Sequence, residues 1–285
     1  MNVVFGARGM VGSFIFARLL HEGQPVVAVS RTGQNGPHWA VADLALPNTI
    51  KLPEVTTVFC AANARTFSFA LPHILHARPK RVVVISSTSV FTKKTCEDLD
   101  ERQSIRELAE AEGRISSLCV DAGVEWTILR PTLIYMEGRD RNVTQIAGLI
   151  RRLRFMPLYG SASGLRQPVH AEDLALGSIA AARSKAAVNR AYCTVGGETL
   201  SYREMVGRIF DGLGITRRLI ALPPLVWEAA FAVARPFYPG VTVAMGARML
   251  KDMAFDSSPA STDFGWRARA FRPCFRATAN SRAAL

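Results

Sequence analysis

The sequence predicts an α/β fold built on a doubly wound parallel sheet, with a smaller C-terminal substrate lobe. The chain opens with the apolar run 3–5, followed by glycines at a three-residue spacing, Gly6, Gly9 and Gly12. Apolar runs then alternate with helical segments as far as Thr132, after which the regular alternation is lost. Each run is apolar throughout, as in a sheet that helices cover on both faces.

The first strand–helix–strand unit surrounds the glycine turn. The helix after the turn has an apolar face at Phe14, Ile15, Leu19 and Leu20. Gly23 ends this helix, and the apolar run 26–29 supplies the second strand. Such glycines permit a tight turn and close approach to a pyrophosphate, while the helix N-terminus offers free N–H donors. The unit predicts a Rossmann-type dinucleotide site formed by Gly6, Arg8, Gly9, Met10, Val11 and Gly12.

The remaining elements follow from the same patterns. Further strands are predicted at 39–42, 55–60, 81–86, 125–129 and 191–195, and helices at 66–76, 101–121, 170–184 and 201–213. Ser201 and Glu204 form a capping box for the last of these helices. The apolar helix 225–234 is expected in the core, because it lacks the basic polar face of a membrane-surface helix.

These elements predict two lobes. The nucleotide-binding domain is predicted at 1–132, with 166–195 returning to its sheet. The substrate-binding lobe is predicted from 133–165 and 196–285, ending in a loose tail at 277–285.

The net charge of +12 comes mostly from arginine. Six arginines crowd the stretch after residue 135: Arg139, Arg141, Arg151, Arg152, Arg154 and Arg166. This cluster has three alternative interpretations: an anionic small-molecule site, a nucleic-acid or anionic-membrane surface, or a solvated basic face. As a group these arginines favour a phosphate-bearing ligand, because guanidinium forks match phosphate oxygens. No aromatic interleaving or recognition-helix pattern favours nucleic acid.

Several classes of protein are not indicated by this sequence. No apolar run approaches the length needed to span a membrane, and no signal-like segment precedes the first strand. Five scattered cysteines lack metal-ligand spacing: Cys60, Cys96, Cys119, Cys193 and Cys274. We therefore expect a cytoplasmic protein with reduced thiols, no metal and no membrane span.

Six segments together resemble the extended and atypical short-chain dehydrogenase/reductases, and the resemblance covers nearly the whole chain, from residue 1 to about residue 273. This resemblance is to the NAD-dependent epimerase/dehydratase-like, nucleotide-sugar-modifying branch. The segments are the glycine motif, Asp43-Leu44, Cys60-Ala61-Ala62-Asn63, 86–91, Leu129-Arg130-Pro131 and 166–174. The resemblance implies that Asp43 and Leu44 lie at the adenine, that Ala61, Ala62 and Pro131 lie along the cofactor, and that Ser87 hydrogen-bonds the reacting oxygen.

The end of the second strand indicates which cofactor is bound. An Asp or Glu at this position would bind the ribose hydroxyls of NAD. This chain has Ser30-Arg31-Thr32 instead, and Arg8 lies inside the glycine turn. Two guanidiniums and two hydroxyls suit a 2′-phosphate, so NADP is the predicted cofactor, with NAD as the alternative. The other interpretation is that Arg31 is simply a solvated residue after a strand.

The resemblance also implies a catalytic tyrosine with a lysine four residues later on one helix, and this pair is missing. No tyrosine lies between Phe91 and Tyr135, and Lys93 and Lys94 come too early for the helix. In the family the lysine lowers the pKa of the phenol, and the tyrosine moves a proton while a hydride is transferred. We expect Ser87, with water, Tyr135 or the substrate itself, to handle the proton.

Two alignments of the expected helix stay open. One puts Arg106 in place of the lysine and Arg102 in place of the tyrosine. The other, shifted by two residues, puts Leu108 and Ser104 there. An arginine can hold a ribose hydroxyl but does not give up its proton at neutral pH. Arg106 is therefore predicted as a cofactor ligand only.

Three residues are predicted to bind the substrate. Asn142 lies where family members acting on nucleotide sugars hold the diphosphate, and it is equally the N-cap of a helix through Arg152. Arg166 and His170 belong to the segment that resembles a late signature near the substrate.

The predicted function is an NADP-dependent oxidoreductase or epimerase acting on an anionic, nucleotide-linked sugar. The alternative is a non-catalytic NADP(H)-binding sensor or assembly factor of the atypical family type. Nucleic-acid binding through the arginine-rich stretch is a third hypothesis, which salt-sensitive binding would support. A homodimer through an exposed helix pair, as in many relatives, is left open.

Overall fold

The computed structural model describes residues 1–32, 36–92, 99–234 and 243–275, which divide into two units. Unit 1 comprises Met1–Thr132, Val169–Val195 and Phe255–Ala268. Unit 2 comprises Leu133–Pro168, Gly196–Ala254 and Arg269–Leu285. Lys93, Lys94, Cys96 and the predicted tail 277–285 lie outside the described residues.

The unit boundaries differ from the predicted domains at two places. Residues 166–168 lie in unit 2, and 255–268, predicted in the substrate-binding lobe, lie in unit 1. Trp266 explains the second difference. Its buried ring packs where a side chain on Gly177 would stand, and its Nε1 donates to the carbonyl oxygen of Val195 at 3.1 Å. No periodic pattern in the sequence marks a contact made by a single tryptophan.

The strands in chain order are β1 (Asn2–Phe5), β2 (Val26–Ser30), β3 (Trp39–Val41), β4 (Thr57–Cys60), β5 (Arg81–Ile85), β6 (Glu125–Pro131), β7 (Ile134–Tyr135), β8 (Met156–Tyr159), β9 (Leu165–Arg166), β10 (Val169–His170), β11 (Arg190–Thr194), β12 (Leu200–Ser201) and β13 (Leu219–Leu222). The helices are α1 (Met10–His21), α2 (Ala64–Leu75), α3 (Ser89–Thr92), α4 (Leu99–Asp121), α5 (Val143–Leu153), α6 (Ala171–Arg183), α7 (Tyr202–Gly212), α8 (Pro224–Ala234), α9 (Val243–Arg248) and α10 (Ser258–Phe264). A short 3₁₀ turn spans Pro47–Thr49.

Unit 1 contains a seven-stranded sheet in the order β11-β6-β5-β4-β1-β2-β3, with every neighbouring pair parallel. The strands are apolar and have no polar face for solvent, so they require a cover. Helices provide this cover. The predicted doubly wound α/β fold is confirmed. The strand order reverses beside β1, and in such sheets ligands bind outside the carboxyl ends of the strands at this reversal.

The core of unit 1 is packed from side chains of the sheet and its covering helices. Val3, Val58 and Val82 lie at the same register level on β1, β4 and β5 and are fully buried. Phe67 of α2 packs edge-on to Phe5 with ring centroids 5.8 Å apart. This packing fixes the carboxyl ends of the strands and the loops that follow them.

The cysteines of the described residues are free thiols. Cys60 and Cys119 are buried, Cys193 is half-buried and Cys274 is exposed. Burial raises the pKa of Cys60 and of Cys119 to about 12, so both thiols stay protonated at neutral pH. They act as small apolar side chains of the core.

Unit 2 has its own core, built around α5, α7 and two short strand pairs. Strand β8 pairs with β13 in parallel, and β9 pairs with β12 antiparallel. Ser201 caps α7, since its Oγ accepts from the N–H of Glu204 at 3.1 Å, as the predicted capping box requires. Tyr135 is buried edge-on against Phe271, with ring centroids 4.9 Å apart.

Helix α8 differs from its prediction as a core helix. Leu225 is 80% exposed and Val226 is 49% exposed, whereas Trp227 is buried. Only one side of the described part of this helix therefore packs inward. Periodicity could not show this, because an apolar sequence without polar positions has no face to assign. In the described part of the chain, no helix combines the length and apolar character that a membrane span needs.

Candidate functional site

The glycine turn between β1 and α1 has no room for side chains. A Cβ on Gly6 would lie 2.7 Å from the carbonyl carbon of Ala61, and Gly6 has a φ of +77°. A Cβ on Gly12 would lie 2.7 Å from the carbonyl carbon of Gly6 and would overlap its oxygen. The N–H of Gly9 donates to that same oxygen at 2.8 Å. The turn is therefore closed on itself and held against the end of β4.

The N-terminus of α1 follows directly from this turn. Gly9 is its N-cap and provides no side-chain cap, and the first turn contains no acidic residue. Val11 is buried, while Met10 is partly exposed. The open N–H groups and the positive end of the helix dipole provide a place for an anion.

A cavity of about 840 Å³ lies beside the glycine turn and is called the first cavity here. Among its lining residues are Gly6, Arg8, Ser30, Arg31, Thr32 and Asp43. A guanidinium N–H of Arg8 donates to the hydroxyl of Thr32. Ser30 Oγ donates to the carbonyl oxygen of Thr32 at 2.6 Å and accepts from its N–H at 3.2 Å. The structure thus brings together the four residues predicted at the 2′-phosphate, with no acid among them.

Asp43 and Leu44 line another part of the first cavity. Asp43 Oδ1 accepts from the N–H of Ala45 at 2.9 Å, and the N–H of Asp43 donates to the hydroxyl of Thr49 at 2.9 Å. These bonds hold the carboxylate in a local turn at the edge of the cavity. Its position after β3 is the one that the sequence analysis assigned to the adenine.

A second cavity of about 360 Å³ adjoins the first at Ala62 and Asn63, which line both. Ser87 and its serine neighbours Ser86 and Ser89 form part of its wall. Asn63 caps α2, because its side chain accepts from the N–H groups of Arg65 and Thr66 at 2.9 and 3.4 Å. The two cavities together follow the carboxyl ends of β2, β1, β4 and β5.

One face of α4 closes the second cavity with Glu101, Ser104, Ile105 and Leu108. These positions are spaced so that they share one side of the helix. Arg106 is exposed to solvent and points elsewhere. The structure therefore favours the alignment in which Ser104 and Leu108 stand in place of the tyrosine and lysine. No tyrosine or lysine of the described residues lines this cavity.

Glu112 continues the same face of α4 and was not singled out by the sequence analysis as a structural residue. It is 5% exposed, and Arg130 of β6 donates to its Oε2 from Nε at 3.0 Å and from Nη2 at 2.5 Å, and to its Oε1 from Nε at 3.2 Å. The hydroxyl of Ser86 also donates to Glu112. Its i+4 spacing from Leu108 was the available signal, because it continues the row of inward positions. The pair fixes the rotation of α4 relative to the sheet.

Ser87 and Pro131 lie at the carboxyl ends of neighbouring strands. Ser87 Oγ accepts from the N–H of Ser89 at 3.1 Å, which leaves its own proton for donation into the second cavity. Pro131 is buried, and its carbonyl oxygen accepts from the N–H and the hydroxyl of Thr88 at 3.0 and 3.1 Å. Pro131 therefore positions the serine-rich loop.

Structural comparison places this architecture among solved enzymes. No protein-family model and no curated protein matches the chain. UDP-glucose 4-epimerase from Thermotoga maritima, solved with UDP-glucose, superposes with a TM-score of 0.70 at 14% identity over 95% of this chain and 94% of that one. The same enzyme from Thermus thermophilus, in complex with NAD, gives a TM-score of 0.69 at 17% identity over 97% of each chain. dTDP-glucose 4,6-dehydratase from Bacillus anthracis, in complex with NAD, gives 0.67 at 16% identity over 95% and 92%.

This chain has the epimerase/dehydratase fold. Coverage of nearly the whole length on both sides means that the similarity includes both units and is not limited to the glycine motif. Identities of 14–17% establish the fold alone.

The guanidinium of Arg166 is hydrogen-bonded to backbone carbonyl oxygens of unit 2. Its Nη1 donates to the carbonyl oxygens of Leu165 at 2.7 Å and Lys251 at 2.8 Å, and its Nη2 donates to that of Arg248 at 2.5 Å. The guanidinium also lies 5.4 Å from the ring centroid of Tyr202. Burial lowers the pKa of Arg166. These bonds make Arg166 an anchor for the segment after α9.

Asn142 precedes α5, but its side chain makes no capping hydrogen bond and is exposed. Asp140, which the sequence analysis missed, does the capping instead. Its Oδ1 accepts from the N–H groups of Asn142 at 2.8 Å and Thr144 at 3.1 Å, and its Oδ2 accepts from the Thr144 hydroxyl at 2.6 Å. An Asp four residues before a Thr at a helix start was the available signal.

His170 is the N-cap of α6 in unit 1. Its Nδ1 accepts from the N–H of Glu172 at 3.2 Å, and its ring lies 6.0 Å from that of Phe14 on α1. The structure thus gives His170 a helix-capping role. In the described residues, no group of His, Cys, Asp and Glu has the arrangement of a metal site.

Proposed function

We propose that this protein is an NADP-dependent oxidoreductase or epimerase acting on an anionic, nucleotide-linked sugar. The single observation that carries the proposal is the first cavity, in which Arg8, Arg31 and the hydroxyls of Ser30 and Thr32 surround the end of β2. An acid at this position would repel a 2′-phosphate, and none is present. Guanidiniums bind phosphate with charge-assisted hydrogen bonds.

The residues present fit such a cofactor. The closed glycine turn and the uncapped N-terminus of α1 would hold the pyrophosphate. Asp43 and Leu44 would lie at the adenine, and Ala61 and Ala62 would let the chain pass the cofactor closely. When bound, NADP supplies or accepts a hydride. The solved relatives named above were crystallised with UDP-glucose or NAD, which supports this class of cofactor and substrate.

Ser87 is the residue that we assign to the reacting oxygen. Its hydroxyl faces the second cavity with its proton available, so it can polarise a carbonyl or hold an alcohol oxygen. Ser104 contributes another hydroxyl from α4. Neither serine has a lysine beside it among the described residues, so proton transfer depends on water or the substrate. Tyr135 is buried in the core of unit 2.

The proposal that the substrate is a nucleotide-linked sugar is supported by the fold and not by the residues predicted to bind it. Arg166 is engaged by three carbonyl oxygens, and Asn142 has an exposed side chain. Arg139, Arg141 and Arg154 remain candidates for an anionic group, as they are part of the arginine-rich stretch in unit 2. A cytoplasmic location goes with this proposal.

A second candidate function is a non-catalytic NADP(H) sensor or assembly factor. The observation that favours it is the presence of Ser104 and Leu108 where the resemblance implies tyrosine and lysine. Such a protein would bind NADPH without turnover.

The experiment that tests the proposal measures NADPH binding and NADPH oxidation by the same purified protein. The oxidation assay uses a panel of nucleotide-linked 4-keto sugars. Binding together with oxidation of NADPH by one member is the expected result. Binding without oxidation across the panel would favour the sensor, and absence of binding would contradict both.

Arg31→Asp is expected to weaken NADPH binding by about tenfold to a hundredfold, as charge-assisted hydrogen bonds to the 2′-phosphate are lost. NADH has no such phosphate, so its affinity should be unchanged or higher. Titration of cofactor fluorescence measures both. Arg267→Asp, at an exposed site of unit 1, is the matched control. An unchanged NADPH/NADH ratio would remove the 2′-phosphate argument.

Ser87→Ala is expected to lower turnover by about a hundredfold, the effect of removing one donor to a reacting oxygen. NADPH affinity should stay within about twofold of the unmodified value, because this hydroxyl is assigned to the substrate. Turnover is measured on the panel member that the protein reduces, with Ser117→Ala at an exposed position of α4 as control. Equal turnover by the Ser87 variant would exclude it from contact with the reacting oxygen.

A further inference from the structure

The positive charge of the chain is concentrated in unit 2. This unit contains 17 Lys and Arg residues and 7 Asp and Glu residues, which gives +10 of the total +12. Unit 1 contains 18 and 16, which gives +2. The proposed cofactor site lies entirely in unit 1, so it does not account for this excess. Electrostatic attraction to an anionic partner therefore originates mainly from unit 2.

Two helices of unit 2 are fixed to the end of β8 by buried apolar side chains. Trp227 of α8 is 3% exposed and lies edge-on to Tyr159, with ring centroids 5.8 Å apart. Met249, directly after α9, is 5% exposed, and its Sδ accepts from the N–H of Tyr159 at 3.4 Å. Gly246 of α9 is in close contact with both rings. The start of α8 and the end of α9 thus both pack against Tyr159.

From this junction a set of apolar side chains points into solvent. We call them the apolar patch: Ile220, Leu225, Val226 and Leu250, with exposed fractions of 46, 80, 49 and 41%. Leu250 is close to Gly160, whose N–H donates to the carbonyl oxygen of Leu222 at 2.9 Å. The end of β13, which leads into α8, therefore lies next to Leu250. Single exposed apolar side chains are common on protein surfaces, whereas a group of them marks a site where a partner binds.

Basic residues border the apolar patch. Arg218 immediately precedes β13, is exposed, and makes no ion pair with any described residue. Arg248 and Lys251 flank Leu250 in sequence and are also exposed.

We propose that unit 2 docks onto an anionic membrane surface through the apolar patch and the basic residues beside it. Interfacial helices insert apolar side chains at the boundary of headgroups and acyl chains, while lysines and arginines contact anionic headgroups. Nucleic acid would account for the charge but not for four exposed aliphatic side chains. Helix α8 has no basic residue among its eleven residues, so the basic residues of the proposed surface come from the elements beside it.

Vesicle sedimentation with the full chain tests this proposal. Vesicles of phosphatidylcholine alone are compared with vesicles that also contain phosphatidylserine, at low and high salt. We expect binding to the anionic vesicles, and weaker binding at high salt because the charges are screened. Failure to bind anionic vesicles at low salt would overturn the proposal. NADPH binding, measured in parallel, belongs to unit 1 and is expected to be unaffected.

Two variants separate the apolar and the basic contributions. The double substitution Leu225→Ser, Val226→Ser should reduce vesicle binding by about tenfold or more. Arg218→Glu should reduce it by about fivefold, the effect of one basic residue near an anionic surface. The matched controls are Val120→Ser with Leu176→Ser, and Arg267→Glu, at exposed sites of unit 1. These controls should bind vesicles as the unmodified chain does.

Two results would contradict the assignment of the surface. If the serine double variant bound vesicles as well as the unmodified chain, the apolar patch would not be the docking site. If it instead dissociated an oligomer seen by sedimentation velocity, with vesicle binding unchanged, a second copy of the chain would cover the patch. Binding to duplex DNA that matched vesicle binding in affinity and was insensitive to Leu225 would show a purely electrostatic surface.

Discussion

Gly12→Ala is expected to weaken NADPH binding by about a hundredfold. The new methyl group would overlap the carbonyl oxygen of Gly6 and lie within 3.0 Å of the Cα of Ala7, so the glycine turn has to open. Overpacking of this kind costs about 1–3 kcal/mol, and the upper part of that range corresponds to two decades in affinity. Isothermal titration with NADPH measures the change.

Gly113→Ala is the control for this substitution. Gly113 lies inside α4, and a Cβ there would meet nothing within 4 Å. Alanine in a helix interior is favoured over glycine by about 1 kcal/mol, so this variant should be slightly more stable and bind NADPH normally. Normal NADPH binding by a folded Gly12→Ala variant would show that the turn is not the pyrophosphate site.

Arg130→Met is expected to lower the free energy of unfolding by about 3 kcal/mol. The substitution leaves the carboxylate of Glu112 buried without its bidentate partner, and an uncompensated buried charge is costly. For a chain of this size the melting temperature should fall by roughly 10 °C. Thermal and urea denaturation measure the loss.

Two further variants identify the cause. Arg18→Met removes an exposed i,i+4 pair with Glu22 and should change stability by less than about 0.5 kcal/mol. Adding Glu112→Leu to Arg130→Met should restore part of the lost stability, because the buried charge is then absent. If the double variant were less stable than Arg130→Met, the cost would come from lost packing instead.

The sheet of unit 1 was predictable from the sequence because each buried strand is a short apolar run between polar or glycine-rich segments. The glycine turn was predictable for a related reason. Gly6 and Gly12 face each other within one short stretch of backbone, so the spacing alone specifies the geometry. The cluster of Arg8, Ser30 and Thr32 followed once the order of the first two strands was known.

The orientation of α4 could not be predicted, because two alignments differing by two residues both gave an acceptable helix. The buried pair of Glu112 with Arg130 decides between them, and it joins residues 18 positions apart. Long-range contacts also determine the anchoring role of Arg166, whose hydrogen-bond partners include the carbonyl oxygens of Arg248 and Lys251. Backbone acceptors leave no mark in a sequence, so a buried structural arginine and a ligand-binding arginine look alike.

The rotation of α4 also bears on how easily this cavity could change its chemistry in evolution. Because the Glu112–Arg130 pair holds the helix, positions 104 and 108 face the second cavity whatever side chains they carry. Single-codon changes at a few such positions would therefore alter what faces the cavity without rebuilding the sheet. A lineage with this framework can exchange one set of cavity-lining side chains for another while the architecture that presents them is inherited unchanged.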